Sequence, residues 1–191
     1  MSPRRSDSRE RMVRSAAALL REYGANATTL DRVLTHSGAP RGSLYHHFPG
    51  GRTQLVEEAV ALAGRHVGGL IDRAALTEDP VETIDAFFAL WREQLLTQQF
   101  RTGCPIAAVA VETNDDAPQL AESAGRIFGE WRQTLTGILT RGGVPEERAK
   151  RLASLIVTVV EGALIVCRAE QSIEPLDAAA AEVRELVANT I

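Results

Sequence analysis

Apolar residues recur at intervals of three and four along almost the whole chain. No stretch alternates apolar and polar positions as a strand would, so the pattern predicts an all-α protein. The punctuation is helical as well. Asp7 with Glu10 predicts a first cap, Val13, Ala16, Ala17, Leu20 and Tyr23 line one face, and Gly24 ends the segment. Thr28 with Asp31 repeats the capping-box spacing ahead of Leu30, Val33 and Leu34, and Gly38 closes that second segment. A short helix over 41–47 follows, then the Gly50-Gly51 break and a helix over 52–75 that would run about 36 Å and join two modules rigidly. Five more helices, each opened near a proline, are predicted over about 80–98, 105–113, 118–141, 145–170 and 175–189. The sum is nine helices. Residues 1–51 form an N-terminal three-helix helix-turn-helix module, joined by the long helix to a six-helix body, residues 52–191.

The segment 41–47 is too short to be stable alone. Leu44 and Phe48, four apart, would seat it on the shelf made by the first two helices. At about 100° per residue the opposite side centres on Gly42 and His46, flanked by Ser43 and Tyr45, with Arg41 at the N-terminal rim. Small, polar and basic groups therefore face outward. Two short helices around a glycine turn, backed by a third, make a helix-turn-helix whose second helix fits a DNA major groove about 12 Å wide. In that setting Gly42 allows close approach to phosphate, Ser43 and Tyr45 offer hydroxyls, Arg41 offers a charged donor pair, and His46 can reach a base edge.

Charge supports this division. Residues 1–52 carry nine arginines against four acids, whereas the remaining 139 carry twelve basic residues against twenty-one acidic ones, a split that the net charge of −4 conceals. A basic head suited to a polyanion precedes an acidic body that is not. With 191 residues, 45% hydrophobic and 24% charged, the chain has the composition of a soluble globular protein. Its longest apolar run, 152–167, is interrupted by Ser154, Thr158 and Glu161 and is shorter than the roughly 20 residues of a membrane span. The charged N-terminus lacks a secretory pattern, and Cys104 and Cys167 suggest no disulfide framework, so a cytoplasmic location without membrane attachment is expected.

The stretch TTLDRVLTHSGAPRGSLYHHF, residues 28–48, resembles the DNA-binding signature of TetR-type transcriptional repressors. GSLYHHFPGG and GCPIAAVAVE, residues 103–112, resemble the lincomycin-resistance repressor subgroup within that family. Departures are Ser37 for the usual alanine, Pro40 for the usual serine, Arg52 for the usual lysine, and two glycines before it. The resemblance implies a homodimeric, ligand-responsive regulator of a palindromic double-stranded DNA operator, released by a small-molecule effector. It places Thr28, Thr29, Arg41, Gly42, Ser43, Tyr45, His46 and Arg52 nearest DNA, with Arg4 and Arg5 as an accessory arm. Thr28 has the competing role of helix cap, Tyr45 could pack on the shelf, and His47 points more toward the shelf than outward.

By the same resemblance, residues 52–191 would bind the effector and dimerise. The helix over about 145–170 is apolar around much of its circumference, as expected of a helix buried on two sides, and 175–189 carries one broad apolar stripe. Together they would build a two-fold four-helix interface. A cavity for a small, mostly apolar effector is expected among the body's aromatic residues, with Phe88, Trp91, Phe128, Trp131 and Glu161 as candidates. Glu161 sits within an apolar helix, where it either meets an effector or pairs with an arginine across the dimer. Cys104 is either a redox-sensitive thiol or a small buried hydrophobe.

No enzyme motif appears: GxSxG, GxxxxGK[ST] and HExxH are all absent, and adjacent His46 and His47 diverge on a helix. No cofactor or metal is expected. The alternative outside gene regulation is a helical small-molecule or lipid-binding protein without specific DNA recognition.

Overall fold

The computed structural model describes residues 3–74, 79–113 and 117–191, the side chains of 3–6 and 74 excepted. Among these residues the chain is all-helical. Its elements are α1 Pro3–Tyr23, α2 Leu30–Ser37, α3 Arg41–His47, α4 Gly51–Ala74, α5 Pro80–Thr97, α6 Pro105–Glu112, α7 Pro118–Arg141, α8 Glu146–Glu170 and α9 Glu174–Ala188. The nine expected helices are all present among the described residues. Position 75, expected to end the fourth, lies outside the described residues.

Two caps differ from expectation. The first helix begins at Pro3 rather than at Asp7, because Asp7 and Glu10 serve inside it, pairing with Arg11 and Arg14 one turn on. The second is capped by Thr29, whose hydroxyl accepts from Arg32 N at 3.3 Å, while Thr28 turns inward and donates to Gly24 O at 2.7 Å. The capping threonine is therefore one residue later than the spacing suggests.

Contacts divide the chain into two compact units, Met1–Arg65 with Cys104–Ile127, and His66–Gly103 with Phe128–Ile191. This partition differs from a cut at 51/52. The reason lies in α6, which packs on α1 and buries Ile106 and Val109 in the first unit. That unit's core also holds Met12, Leu20, Val33, Leu44, Phe48 and Leu55. Within it the absence of a side chain at Gly64 lets α4 approach Ile127 of α7, whose Cγ2 would lie 2.8 Å from a β-carbon there.

The second unit is built around α8, which packs with α9 and α5. Its buried Ile156, Val160, Leu164 and Cys167 meet a core that includes Trp91 and Leu95 of α5 and Leu176, Val183 and Val187 of α9. Ion pairs Arg92–Asp177 at 2.9 Å and Arg184–Asp85 at 3.0 Å join α5 to α9 at the surface. With 25 residues and a mean hydropathy of 2.0 in its most apolar window, α8 is long and apolar enough to cross a membrane. The interrupting polar residues had suggested otherwise. What they mark is a core helix, since nine of its residues are buried in this unit. Cys104 and Cys167 are both buried and form no disulfide.

Gly142 closes the turn after α7, and a β-carbon on it would overlap the Pro80 ring that opens α5. A proline ring in the first turn of a helix has no rotamer to escape into. Gly142→Ala is expected to destabilise the protein by about 1–3 kcal/mol, read as a lower midpoint in chemical denaturation.

Candidate nucleic-acid interface

The seven residues of α3 are held from beneath. Leu44 and Phe48 are fully buried against a shelf containing Val33 and Met12, and the Arg9 guanidinium lies 5.5 Å above the Phe48 ring while pairing with Glu58 at 2.7 Å. The α2–α3 turn is set by Gly38 at φ +62°, a left-handed conformation that a glycine adopts without strain. Pro40 then offers its carbonyl to both Ser43 N, at 2.9 Å, and Ser43 Oγ, at 2.7 Å. These contacts start the helix without a side-chain cap.

Seating one side of α3 leaves the other in solvent. Arg41, Gly42, Tyr45 and His46 are exposed, Tyr45 by 68%, and nothing lies within 4 Å of where a Gly42 β-carbon would stand. Ser43 is half-buried and spends its hydroxyl on Pro40. His46 and His47 meet edge to face with centroids 5.1 Å apart. Tyr45 does not pack on the shelf, which resolves one choice left open by sequence.

Arg41 has a partner that sequence reading missed. Its guanidinium pairs with Asp31 of α2, and that hydrogen bond raises an arginine pKa already far above neutrality, so the charge is permanent. Both groups are more than 70% exposed, and such pairs add little to stability. The pair links the start of α3 to α2 at the surface. The signal was one acid ten residues upstream of one base, too common a spacing to single out.

Two of the expected DNA contacts have side chains already engaged within the fold. Thr28 is 1% exposed, with its hydroxyl committed to the Gly24 carbonyl, so its side chain is a structural element of the α1–α2 turn. Arg52 is half-buried, and its guanidinium donates to the carbonyls of Thr28, at 3.0 Å, and Ala25. It ties α4 to that turn instead of standing free for phosphate. Thr29 is exposed at the N-terminus of α2, beside the outward surface but engaged as its cap. The side chains of Arg4 and Arg5 lie outside the described residues.

The proposed effector residues lie in the second unit. Phe88, Trp91 and Trp131 are buried, whereas Phe128 and Glu161 are half-buried. Phe128 and Trp131 meet edge to face with centroids at 5.6 Å, and Trp91 packs likewise on Phe87 at 6.5 Å. A cavity of about 290 Å³ in this unit is lined by Leu70, Ile71, Arg73, Ala86, Phe87 and Leu90, and a groove of about 540 Å³ runs along Asp72, Glu130 and Arg141. None of the five candidates lines either one.

A basic head presenting one helix, small and polar on its outer side, defines a sequence-reading DNA-binding protein of the helix-turn-helix class. Comparison with known proteins agrees. Residues 13–59 match the family described as bacterial regulatory proteins, tetR family, and residues 80–182 match the transcriptional regulator LmrA/YxaF-like C-terminal domain. An uncharacterised HTH-type transcriptional regulator of Mycobacterium tuberculosis is 46% identical over 185 residues, covering 94% of this chain and 93% of its own. The HTH-type transcriptional regulator LmrA of Bacillus subtilis is 32% identical over 171 residues, covering 89% and 91%. A crystal structure of a TetR transcriptional regulator from Chloroflexus aurantiacus superposes with a TM-score of 0.82 at 28% identity, covering 98% of this chain and 97% of that one. The chain belongs to the TetR family of bacterial transcriptional regulators, with an LmrA/YxaF-like C-terminal domain. It is a regulator and not an enzyme, and the reading without DNA recognition is set aside.

The two arginines separate by function. Arg52→Ala leaves two turn carbonyls without their charged donor and is expected to cost about 1.5–3 kcal/mol of stability in a denaturant titration. Arg41→Ala is expected to leave the denaturation midpoint in place while weakening specific duplex binding roughly ten- to a hundredfold if it reads a base.

Proposed function

We propose that the protein is a ligand-responsive repressor that binds a palindromic operator as a homodimer in the cytoplasm and leaves it when a small, mostly apolar effector occupies the body. The observation that carries this reading is the open face of α3. Gly42, Tyr45 and His46 stand clear of the fold, with the solvent-exposed Arg41–Asp31 pair at their edge, on a helix otherwise clamped by its own buried side, the form needed to enter a groove. Thr29 and Ser43 border that face. The amide ends of α2 and α3 add donors for phosphate.

In functional terms, residues 1–51 read DNA and 52–191 dimerise and bind the effector. An exposed apolar stripe on α8 supports the pairing. Leu155, Ile165 and Val166 are 41%, 63% and 41% exposed, and Thr158, Gly162 and Ala169 are exposed between and beyond them at helical spacing. A second copy of the same helix, with α9 alongside, covers such a stripe in a two-fold four-helix arrangement. Two recognition helices about 34 Å apart then enter successive major grooves.

The effector site is placed near Phe88, Trp91, Phe128, Trp131 and Glu161. Support comes from the Trp91 indole N–H, which is buried and meets no acceptor among the described residues. A buried donor of this kind calls for an acceptor, which a polar group on the effector would supply. The effect of occupancy is read at the DNA through α4, which is continuous from Gly51 to Ala74.

Selection of bound fragments from a random duplex library is expected to enrich an inverted repeat. Enrichment of nothing, or of sites without symmetry, overturns the proposal. Ile165→Glu is expected to leave a folded protomer that sediments as a monomer at micromolar concentration and loses operator affinity. An effector that lowers operator affinity by some factor must bind the operator complex more weakly by that same factor, measurable by titrating each in the presence of the other.

A further inference from the structure

The sequence GCPIAAVAVE ends at Glu112, the last residue of α6, and no part of the DNA-facing surface includes it. Its carboxylate nevertheless reaches the turn between α1 and α2. Glu112 Oε2 accepts from Asn26 N at 2.6 Å, across 86 residues of sequence. The approach depends on a residue without a side chain. Gly24 stands at φ +83°, and a β-carbon on it would overlap Glu112 Oε1 and lie 3.0 Å from its Cδ. Position 24 therefore requires glycine twice, for its backbone conformation and for the space the carboxylate occupies.

The same turn is gripped from its other side. Arg52 donates to the carbonyls of Ala25 and Thr28, and the Thr28 hydroxyl to that of Gly24. An anion thus holds an amide and a cation holds two carbonyls of one five-residue loop. The loop delivers the chain to Thr29, the cap of α2, and α2 carries the Asp31 that pairs with Arg41. A change in the turn alters where the recognition surface starts.

We propose that Glu112 is a positioning residue for operator recognition, acting through the backbone of the 24–28 turn and not through contact with DNA. Asn26 is exposed and Glu112 only half-buried, so water replaces the lost hydrogen bond at little cost in folding. What is lost is the fixed place of the turn. The contact therefore affects recognition more than stability. This inference rests on the reading that the protein selects an operator.

The test compares the unsubstituted chain with Glu112→Ala, Glu112→Gln, Gly24→Ala and the Gly24→Ala/Glu112→Ala pair, by fluorescence anisotropy on the selected operator and on a scrambled duplex. Glu112→Ala is expected to weaken operator binding about tenfold, through loss of the turn's fixed place rather than of the bond's own energy. Binding to the scrambled duplex and its salt dependence should stay unchanged, the melting temperature should move by no more than about 2 °C, and the Asn26 amide should exchange faster. Glu112→Gln, which retains an acceptor oxygen, should recover part of the loss. Once Gly24→Ala has displaced the carboxylate, removing it should cost nothing more, so the two changes are non-additive. Unchanged operator affinity in Glu112→Ala, additive losses in the pair, or losses that follow the melting temperature overturn the proposal. An unsubstituted chain with no sequence preference instead overturns the regulator reading itself.

Discussion

Burial of Leu44 and Phe48 is the interaction on which the first unit's DNA-facing surface depends. Seven residues cannot supply enough of their own hydrogen bonds to persist as a helix, and α3 exists because those two side chains leave water for the shelf of α1 and α2. The centre of its outward side is then free of any duty to the fold. Gly42 fills no gap, Tyr45 covers no core and His46 lies in the open. Residues with no structural task on a helix with a fixed orientation are what recognition requires.

The all-helical class, the number of helices and the outward face of α3 were legible because they follow from periodicity, which is local. Proline and glycine marked most boundaries to within a few residues for the same reason. Partners that the pattern did not reveal have mixed origins. Arg52 carries a group that suits phosphate, yet it is engaged by carbonyls 24 and 27 residues away in the chain, which no spacing rule anticipates, while the Thr28 hydroxyl turns back to the Gly24 carbonyl one turn earlier. Asp7 resembled a cap because its fourth neighbour was not weighed as an ion-pair partner. Local chemistry defined the candidates and tertiary geometry chose among them.

The position of α6 shows the same limit on a larger scale. Its apolar residues predicted a helix, but nothing in them told which core would take it. Ile106 and Val109 enter the core that also contains α1, which is why a segment about fifty residues beyond the expected boundary belongs with the head. Of the body's aromatic candidates, Phe88, Trp91 and Trp131 are buried and Phe128 is half-buried. Burial alone does not separate ligand wall from packing, and the cavity of about 290 Å³ is lined by Phe87 and by none of the five named candidates.

Both tryptophans, Trp91 and Trp131, lie buried in the second unit, whereas both tyrosines, Tyr23 and Tyr45, are exposed in the first. The chain therefore carries two separate intrinsic optical labels. Indole emission follows events in one unit, and phenol absorbance follows the other, without a dye attached to either.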